Sequence, residues 1–308
     1  MTERVELLKI LRYLCSKVGE LPKAIWLPQD AIELERSDGA AARGGFADVY
    51  RGTLLVGGQR ASVAVKMIRE DAGDPARIRA ECFKEAVAWR HFKHPHIVPF
   101  LGVCLVDSSI CLVSSWMTNG TLVRFLRDSH FPENRRIGLL VDVASGLRYL
   151  HQHEIAHGDL KGANVLIDRV SPWEYVARIA DFGLSTTIET MTRSCGSGTI
   201  RWMAPELLDP ESFGLEHALP SKEADIYAFA MVMWEVFTEE IPFYESPNDA
   251  NVISRVFRGE RPKRPVGITG SRGPFKDSIW ILMEECWKQE RDARPPVGVV
   301  LDRLCMES

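Results

Sequence analysis

The chain has 308 residues, of which 45% are hydrophobic and 26% are charged, and its formal net charge is −4. A soluble globular chain of this length can bury a large core in one large domain or two lobes, and the lack of excess positive charge argues against nucleic acid as a partner. The longest apolar run, residues 227–234, is too short to span a membrane, and residues 2–6 lack the pattern of a secretory signal.

Cysteine usage points to the cytosol, with the nucleus as a second option. Seven cysteines are scattered along the chain without a CxxC pair. Such a set is typical of reduced thiols, and it offers no zinc site at familiar spacing.

Residues 1–36 are expected to form a helical extension. The apolar residues that recur there at helical spacing are Leu7, Ile10, Leu11, Leu14 and Val18. Gly19 and Pro22 end the pattern. Two interpretations stay open, because an apolar stripe alone does not distinguish them: the helix packs on the domain that follows, or it docks a partner.

Residues 37–117 are expected to form several strands and one helix. Two strand-like runs, 49–55 and 61–67, flank Gly57 and Gly58, which is a hairpin signature. The elements expected after the hairpin are a helix over 76–92 and strands over 97–105 and 110–116.

Residues 118–308 are expected to be mostly helical. Apolar residues from Ile137 to Leu150 line one face of a long helix, and the almost wholly apolar run 224–237 predicts a buried one. The expected architecture is therefore α+β, with a small sheet-rich lobe followed by a larger helical lobe.

Three short motifs occur in a fixed order. They are Val63-Ala64-Val65-Lys66, His157-Gly158-Asp159-Leu160-Lys161-Gly162-Ala163-Asn164, and Asp181-Phe182-Gly183. Together they supply a cation for phosphates, a carboxylate beside a nucleophile and two oxygen ligands for magnesium, which is the minimum apparatus for moving the terminal phosphoryl group of ATP. Each motif alone is a weak signal, but all three in this order are a strong one.

On these motifs, residues 38–304 resemble a eukaryotic protein kinase, and the tyrosine-kinase-like group of serine/threonine kinases in particular. The resemblance implies a bilobal protein kinase fold, with a small antiparallel-sheet N-lobe that holds one main helix and a larger, mostly helical C-lobe. It also implies ATP and Mg²⁺ as cofactors, protein substrates, and a role in intracellular signalling.

The resemblance assigns a first pair of catalytic residues, Lys66 and Glu85. Lys66 would meet the α and β phosphates of ATP, and Glu85, on the helix after that strand, would hold the lysine in an ion pair. Glu81 is a rival for this partner role, although its spacing to the downstream motif fits less well.

A second group of catalytic residues follows from the same resemblance. Asp159 would be the catalytic base, and Lys161 would contact the transferred phosphate and favour serine or threonine substrates. Asn164 and Asp181 would coordinate Mg²⁺. Thr199 matches the threonine that ties the substrate platform to the catalytic loop.

The resemblance also assigns residues to the nucleotide. They are Ala42, Gly44, Val49, Ala64, Lys66, Ser114, Ser115, Met117 and Leu166. The glycine-rich loop departs from the family, because Ala42 and Ala47 stand where glycines are usual and only Gly44 matches. The small side chain of Ser114 predicts an accessible pocket behind the adenine.

Further matches are structural. Glu206 and Arg294 are expected to form a buried ion pair, and Asp225 is expected to accept backbone hydrogen bonds from the catalytic loop. His151 and His153 are expected to finish the preceding helix, where imidazolium suits the helix dipole.

Three alternatives stay open. Residues 201–203 have a tyrosine-kinase character, so dual specificity is possible. Ala42, Ala47 and Gly158 motivate a pseudokinase, a nucleotide-binding or scaffolding module without turnover. A small-molecule kinase is less favoured, because the complete Ala-Pro-Glu motif at 204–206 is unusual in that class.

Overall fold

The chain divides into two units, 1–117 and 118–308. The computed structural model describes residues 2–28, 30–35, 39–43, 47–69, 74–129, 131–182, 199–265 and 276–308. None of the helices in these ranges combines the length and the apolar character that a bilayer crossing requires.

The first unit is built on a six-stranded antiparallel sheet. Its strands are β1 (Ile32–Leu34), β2 (Ala42–Arg43), β3 (Ala47–Val56), β4 (Gln59–Ile68), β5 (Phe100–Val106) and β6 (Ser109–Ser115). The strand order is β1-β3-β4-β6-β5, and β2 pairs with β3. The predicted β3–β4 hairpin is confirmed, and Gly57 and Gly58 both take the positive φ that its two-residue turn requires.

The strand register divides the side chains of this sheet between two faces. A buried cluster occupies one face and consists of Val63, Val65, Cys104, Cys111 and Val113. Ala64 and Lys66 alternate with the valines of β4, so they project from the opposite face. Val49 pairs with Lys66, and Ser114 pairs with Ala64, so these two side chains share that second face.

Helix α2 (Pro75–His91) matches the predicted helix to within one residue. It begins where the side chain of Asp74 accepts a hydrogen bond from the backbone N–H of Ala76, at 3.1 Å. Strand β5 begins three residues later than predicted. Pro99 stands directly before it and has no N–H to extend the ladder.

Helix α1 (Thr2–Val18) is confirmed and packs against α2, but most of its apolar stripe takes no part in this packing. The buried apolar residues of α1 are Val5, Leu8 and Cys15. Most of the predicted stripe is exposed instead, namely Leu7, Ile10, Leu14 and Val18. Whether this exposed stripe docks a partner stays a prediction.

Arg12 shares the face of α1 that carries Val5, Leu8 and Cys15. Burial lowers the pKa of its guanidinium, while the carboxylates of Glu81 and Glu85 on α2 act in the opposite direction without cancelling the effect of burial. The charge of Arg12 therefore opposes burial of this face, and the apolar side chains of Val5, Leu8 and Cys15 favour it.

The second unit is mostly helical. Its helices are α3 (Leu122–Ser129), α4 (Glu133–Gln152), α5 (Pro205–Leu208), α6 (Lys222–Thr238), α7 (Asp249–Phe257), α8 (Asp277–Cys286) and α9 (Val297–Glu307). A two-stranded antiparallel sheet joins β7 (Val165–Ser171) to β8 (Glu174–Ile179). The predicted α+β class, with a sheet-rich part before a larger helical part, is confirmed.

Helix α6 is buried along its whole predicted apolar run, from Ala224 to Phe237. Ser221 caps its first turn by accepting a hydrogen bond from the Ala224 N–H at 3.1 Å. Helices α3, α4 and α8 pack around it. Two of its buried residues, Asp225 and Glu235, are acidic and therefore need polar partners.

Candidate functional site

In the first unit, Lys66 and Glu85 form the predicted ion pair. Lys66 Nζ lies 3.3 Å from Glu85 Oε1, and the two side chains are 12% and 0% exposed. Strand β4 supplies the lysine, and α2 supplies the glutamate. The rival Glu81 is paired with Lys84 on its own helix, at 2.6 Å.

The first-unit residues predicted to hold the nucleotide fall into three groups. Ala42 pairs with Val49 across β2 and β3, so both lie near Lys66 in the sheet register together with Ala64 and Ser114. Met117 is buried at the end of the unit, directly after the strand that carries Ser115. Gly44 lies outside the described residues. Their roles toward a nucleotide stay predictions.

In the second unit, the catalytic-loop residues predicted from the sequence come together around Asp159. Its Oδ2 lies 2.9 Å from Lys161 Nζ and accepts a hydrogen bond from Asn164 Nδ2 at 3.0 Å. Its Oδ1 is buried and has no hydrogen-bond partner among the residues that the structure describes. One carboxylate oxygen is thus held by an ammonium group and an amide N–H, while the other can accept a hydrogen bond from a further donor.

Lys161 also connects this loop to Thr199. Its Nζ donates to Thr199 Oγ1 at 2.8 Å, and Thr199 is buried. The predicted tie between this threonine and the catalytic loop is therefore confirmed.

His157 links the catalytic loop to the segment before Asp181. Its Nε2 lies 3.0 Å from the Ala180 carbonyl, which can only accept, and its Nδ1 faces the Asp159 N–H at 3.2 Å, which can only donate. These partners select the neutral tautomer protonated at Nε2. Burial lowers the pKa of His157, which keeps the ring in this uncharged form.

Asp225 on α6 fixes the backbone just before Asp159, as predicted. Its Oδ2 accepts from the His157 N–H at 2.7 Å, and its Oδ1 accepts from the Gly158 N–H at 2.9 Å. Gly158 has a φ of +78°, a left-handed conformation that costs glycine nothing.

The prediction for His151 is incomplete. It does lie at the end of α4, but its Nε2 lies 2.8 Å from Asp225 Oδ2, so it contacts the residue that fixes the catalytic loop. His153 behaves as predicted at the helix end, where its Nδ1 lies 2.8 Å from the Tyr149 carbonyl.

Asp181 and Leu166 also belong to the second unit. Asp181 has a φ of +56°, a region that non-glycine residues rarely adopt and that is concentrated at functional sites. Phe182, next to it, is buried with its ring edge-on to His157, at 6.3 Å between centroids. Leu166 lies on β7 in a bridge with Thr121. Gly183 is outside the described residues.

The donor set fits Mg²⁺ better than a protein-only metal site. Within the described ranges, no cluster of three or more His, Cys, Asp or Glu side chains is arranged to hold a metal. Asn164 and Asp181 offer an amide oxygen and a carboxylate. Mg²⁺ is bound in this way in phosphoryl-transfer sites, through one or two side-chain oxygens together with substrate phosphates and water.

Glu235 is a site residue that the sequence analysis missed. Its Oε2 accepts hydrogen bonds from the Gly162 N–H and from Trp202 Nε1, both at 2.8 Å. It therefore joins α6 to the loop between Asp159 and Asn164. Burial raises the pKa of Glu235 to about 8, so the side chain is protonated at neutral pH. An acidic residue inside the almost wholly apolar run 224–237 was the available signal.

Glu235→Gln is expected to change how stability depends on pH. The folded chain holds the Glu235 proton more tightly than the unfolded chain, whose pKa is 4.5. The contribution of this group to the free energy of unfolding is therefore complete below pH 4.5 and is lost as pH rises through about 8. Glutamine is neutral throughout, so the variant should lose less stability than the wild type between about pH 4.5 and about pH 8.

Urea unfolding of the wild type and the variant at the two ends of this pH range checks the expectation. Glu284→Gln, at an exposed position of α8, is the matched control and should follow the wild type. Identical pH profiles for Glu235→Gln and wild type would contradict the assignment.

Comparisons with known proteins agree with this geometry. A family model described as protein tyrosine and serine/threonine kinase matches residues 38–304. Serine/threonine-protein kinase STY17 of Arabidopsis thaliana is 30% identical over 92% of this chain. Mitogen-activated protein kinase kinase kinase 10 of Homo sapiens is 32% identical over 95%, and dual specificity protein kinase zakA of Dictyostelium discoideum is 28% identical over 89%.

The chain spans 48%, 30% and 35% of the lengths of these three relatives, so it covers less than half of each. The family model, by contrast, accounts for nearly the whole chain, including all three motifs. The chain therefore belongs to the family of protein tyrosine and serine/threonine kinases.

Proposed function

We propose that this chain is an ATP-dependent protein kinase that transfers the γ-phosphoryl group of ATP to serine or threonine hydroxyls of protein substrates. The observation that carries the proposal is the hydrogen bonding of the two carboxylate oxygens of Asp159. One of its oxygens is held by Lys161 and Asn164, and the other is buried without a partner among the described residues. A substrate hydroxyl would supply the missing donor.

In this proposal, Asp159 Oδ1 accepts the hydrogen bond of the substrate hydroxyl and orients its oxygen for attack. Lys161 and Asn164 keep the carboxylate in place through Oδ2. His157 and Asp225 are positioning residues, because they fix the backbone that carries Asp159.

The preference for serine and threonine is part of the proposal. It is supported by the bond from Lys161 to Thr199, which places a cation beside Asp159. The relatives named serine/threonine-protein kinases support it as well. Dual specificity is the second candidate, because one similar relative is named a dual specificity protein kinase.

Mg²⁺ and ATP are the proposed cofactors. Asn164 Oδ1 and the Asp181 carboxylate would hold the metal, which supplies charge neutralisation for the phosphates. Lys66, held by Glu85, would contact the α and β phosphates. Ser115 C=O and Met117 N–H would contact the adenine edge, and Ala64 would contact the adenine ring. Leu166 stays a predicted nucleotide contact of the second unit.

A role in intracellular signalling and a cytoplasmic location, with the nucleus as a second option, complete the proposal. The names of the relatives support the first part, and the free cysteines in the described ranges support the second. Proteins are the proposed substrates.

A transfer assay tests the proposed function. The purified chain is incubated with Mg²⁺, γ-labelled ATP and a generic basic protein, and labelled protein is expected. The Asp159→Asn variant serves as the contamination control and should give almost no label. Nucleotide binding by a wild-type chain that transfers no label would favour the pseudokinase instead.

Lys66→Met is expected to reduce kcat/KM for ATP by about 10²- to 10³-fold, the usual effect of removing one electrostatic contact from a reacting charge. The change also removes the cation that lies 3.3 Å from the buried Glu85. Steady-state kinetics over a range of ATP concentrations measure the effect. The matched control is Lys84→Met, which breaks the Glu81 pair on α2 and should leave kcat/KM within a few fold of wild type. Equal losses in both variants would mean that Lys66 acts only through the stability of α2.

A further inference from the structure

Two cysteines of the first unit lie directly opposite each other on neighbouring strands. Cys104 of β5 and Cys111 of β6 are cross-strand partners in the antiparallel register. Both are free thiols, and both belong to the buried face of the sheet that lies opposite Lys66. Side chains in such a pair project to the same side and face each other.

The geometry of the turn between these strands sets the distance between the two backbones. Asp107 and Ser108 form a two-residue turn, and both have positive φ, at 49° and 70°. In a hairpin of this type, the pair next to the turn is hydrogen-bonded, and hydrogen-bonded pairs alternate with non-bonded pairs along the strands. Cys104 and Cys111 are two positions from Val106 and Ser109, so they form a hydrogen-bonded pair.

The Cα atoms of a hydrogen-bonded antiparallel pair are about 5.5 Å apart. Disulfides are usually found at Cα separations of roughly 4.4–6.8 Å. The Cα separation expected for this pair therefore lies within the disulfide range. The Cβ atoms of a hydrogen-bonded pair are about 5.5 Å apart, so a bridge requires them to approach to about 4 Å through a small local adjustment of the hairpin.

The two thiols are hydrogen-bonded to each other, so their titration belongs to the pair rather than to either sulfur. The thiolate is the reactive form of a cysteine, so the sulfur that an oxidant reaches first determines where the reaction starts. Cys111 also lies 3.6 Å from the carbonyl oxygen of Ser109, which orients its S–H.

The two cysteines differ in how easily a small oxidant can reach them. Cys104 lines a cavity of about 460 Å³ between β5 and the segment before β1, together with Trp26, Leu27, Ile32, Leu105 and Val106. Cys111 has no exposed surface. A small oxidant entering this cavity meets Cys104 first, and Cys111 then lies beside the sulfur that has reacted.

We propose that Cys104 and Cys111 form an oxidative modification site, which a peroxide converts into a cross-strand disulfide. The Cys104 thiolate attacks hydrogen peroxide, the O–O bond breaks, and the leaving hydroxide takes the proton that Cys104 released and becomes water. This step gives a sulfenic acid on Cys104.

In the second step, the Cys111 sulfur attacks the Cys104 sulfur. The S–S bond forms, the S–O bond breaks, and the leaving hydroxide takes the Cys111 proton and becomes a second water. The two sulfurs lose two electrons in total, and one peroxide is reduced to two waters.

Other buried cysteines provide internal controls. Burial raises the pKa of Cys82 on α2 and of Cys286 on α8. Neither is a strand partner of another cysteine in the described ranges. They should therefore resist the peroxide treatment that converts the pair.

The test is thiol mapping of the folded full-length chain after limited hydrogen peroxide. No lysine or arginine lies between Cys104 and Cys111, so both fall in the tryptic peptide 94–124. After oxidation this peptide is expected to resist alkylation and to weigh less by two hydrogen atoms, and dithiothreitol should restore both thiols. The peptide with Cys286 should remain alkylated.

Two variants assign the order of reaction. In Cys111→Ser, Cys104 should stop at sulfenic acid, which dimedone traps. In Cys104→Ser, Cys111 should remain alkylatable. The proposal is overturned if both cysteines of the wild type stay alkylatable when the exposed Cys305 is oxidised, or if Cys104 is found oxidised without loss of the Cys111 thiol. These readouts do not depend on phosphoryl transfer.

Discussion

Replacement of Asp159 by asparagine is expected to lower kcat by about 10²- to 10⁴-fold, the range that a positioned general base contributes. Asparagine has the same shape, so its amide oxygen can keep the contacts with Lys161 Nζ and Asn164 Nδ2. Its amide nitrogen would then occupy the position of Oδ1, which is buried and has no partner among the described residues. An N–H group donates where the substrate hydroxyl needs an acceptor.

Steady-state kinetics of purified variants measure this effect, and the KM for ATP should change little. The matched control is Asp168→Asn on β7, which weakens a partly exposed ion pair with Arg178 in the same unit. That variant should retain kcat within a few fold of wild type. If Asp159→Asn kept wild-type kcat, the assignment of the catalytic base would be wrong.

Replacement of Arg294 by methionine is expected to lower the free energy of unfolding by about 3–5 kcal/mol, because it leaves a buried carboxylate without its cation. Arg294 forms two parallel hydrogen bonds to Glu206, at 2.6 and 2.8 Å, and both side chains are at most 1% exposed. The guanidinium also lies 5.2 Å from the centroid of the Tyr227 ring. The lost contacts therefore include a charge pair and a cation–π contact.

Urea unfolding followed by tryptophan fluorescence measures this loss. Arg291→Met is the matched control. It removes a guanidinium whose partners are near the surface and should cost at most about 1 kcal/mol. The double variant Glu206→Met/Arg294→Met should be more stable than Arg294→Met alone, since no charge is then left buried and unpaired. Equal stability of Arg294→Met and Arg291→Met would contradict this account of the pair.

The resemblance to kinases, which the ordered motifs carry, predicted several of the contacts within each unit. The partner of Lys66, the contacts of Asp225 with the catalytic loop and the pair between Glu206 and Arg294 were all predicted as they are found. These contacts can be predicted from the sequence because the ordered motifs assign each of the residues to a helix, strand or loop of the kinase fold. The almost wholly apolar run 224–237 predicted the buried helix α6, and two strand-like runs around Gly57 and Gly58 predicted the β3–β4 hairpin.

The rest depended on which residues of distant elements meet after packing. The stripe of α1 that carries Leu7 and Leu14 was a candidate packing face, yet the buried residues of this helix are Val5, Leu8 and Cys15. Glu235 read as one polar residue in an apolar run, and only the fold shows that it meets Gly162. A sequence pattern records spacing along one element, whereas these contacts join elements that are distant in sequence.

Phosphosite mapping tests the central claim most directly. The wild-type chain and the Asp159→Asn variant are incubated with ATP and Mg²⁺ on a peptide array and on themselves, and mass spectrometry locates each phosphate. The account predicts phosphorylated serine and threonine residues with the wild type and almost none with the variant. Phosphate on tyrosine alone, or no phosphate from a folded wild-type chain that binds ATP, would contradict it.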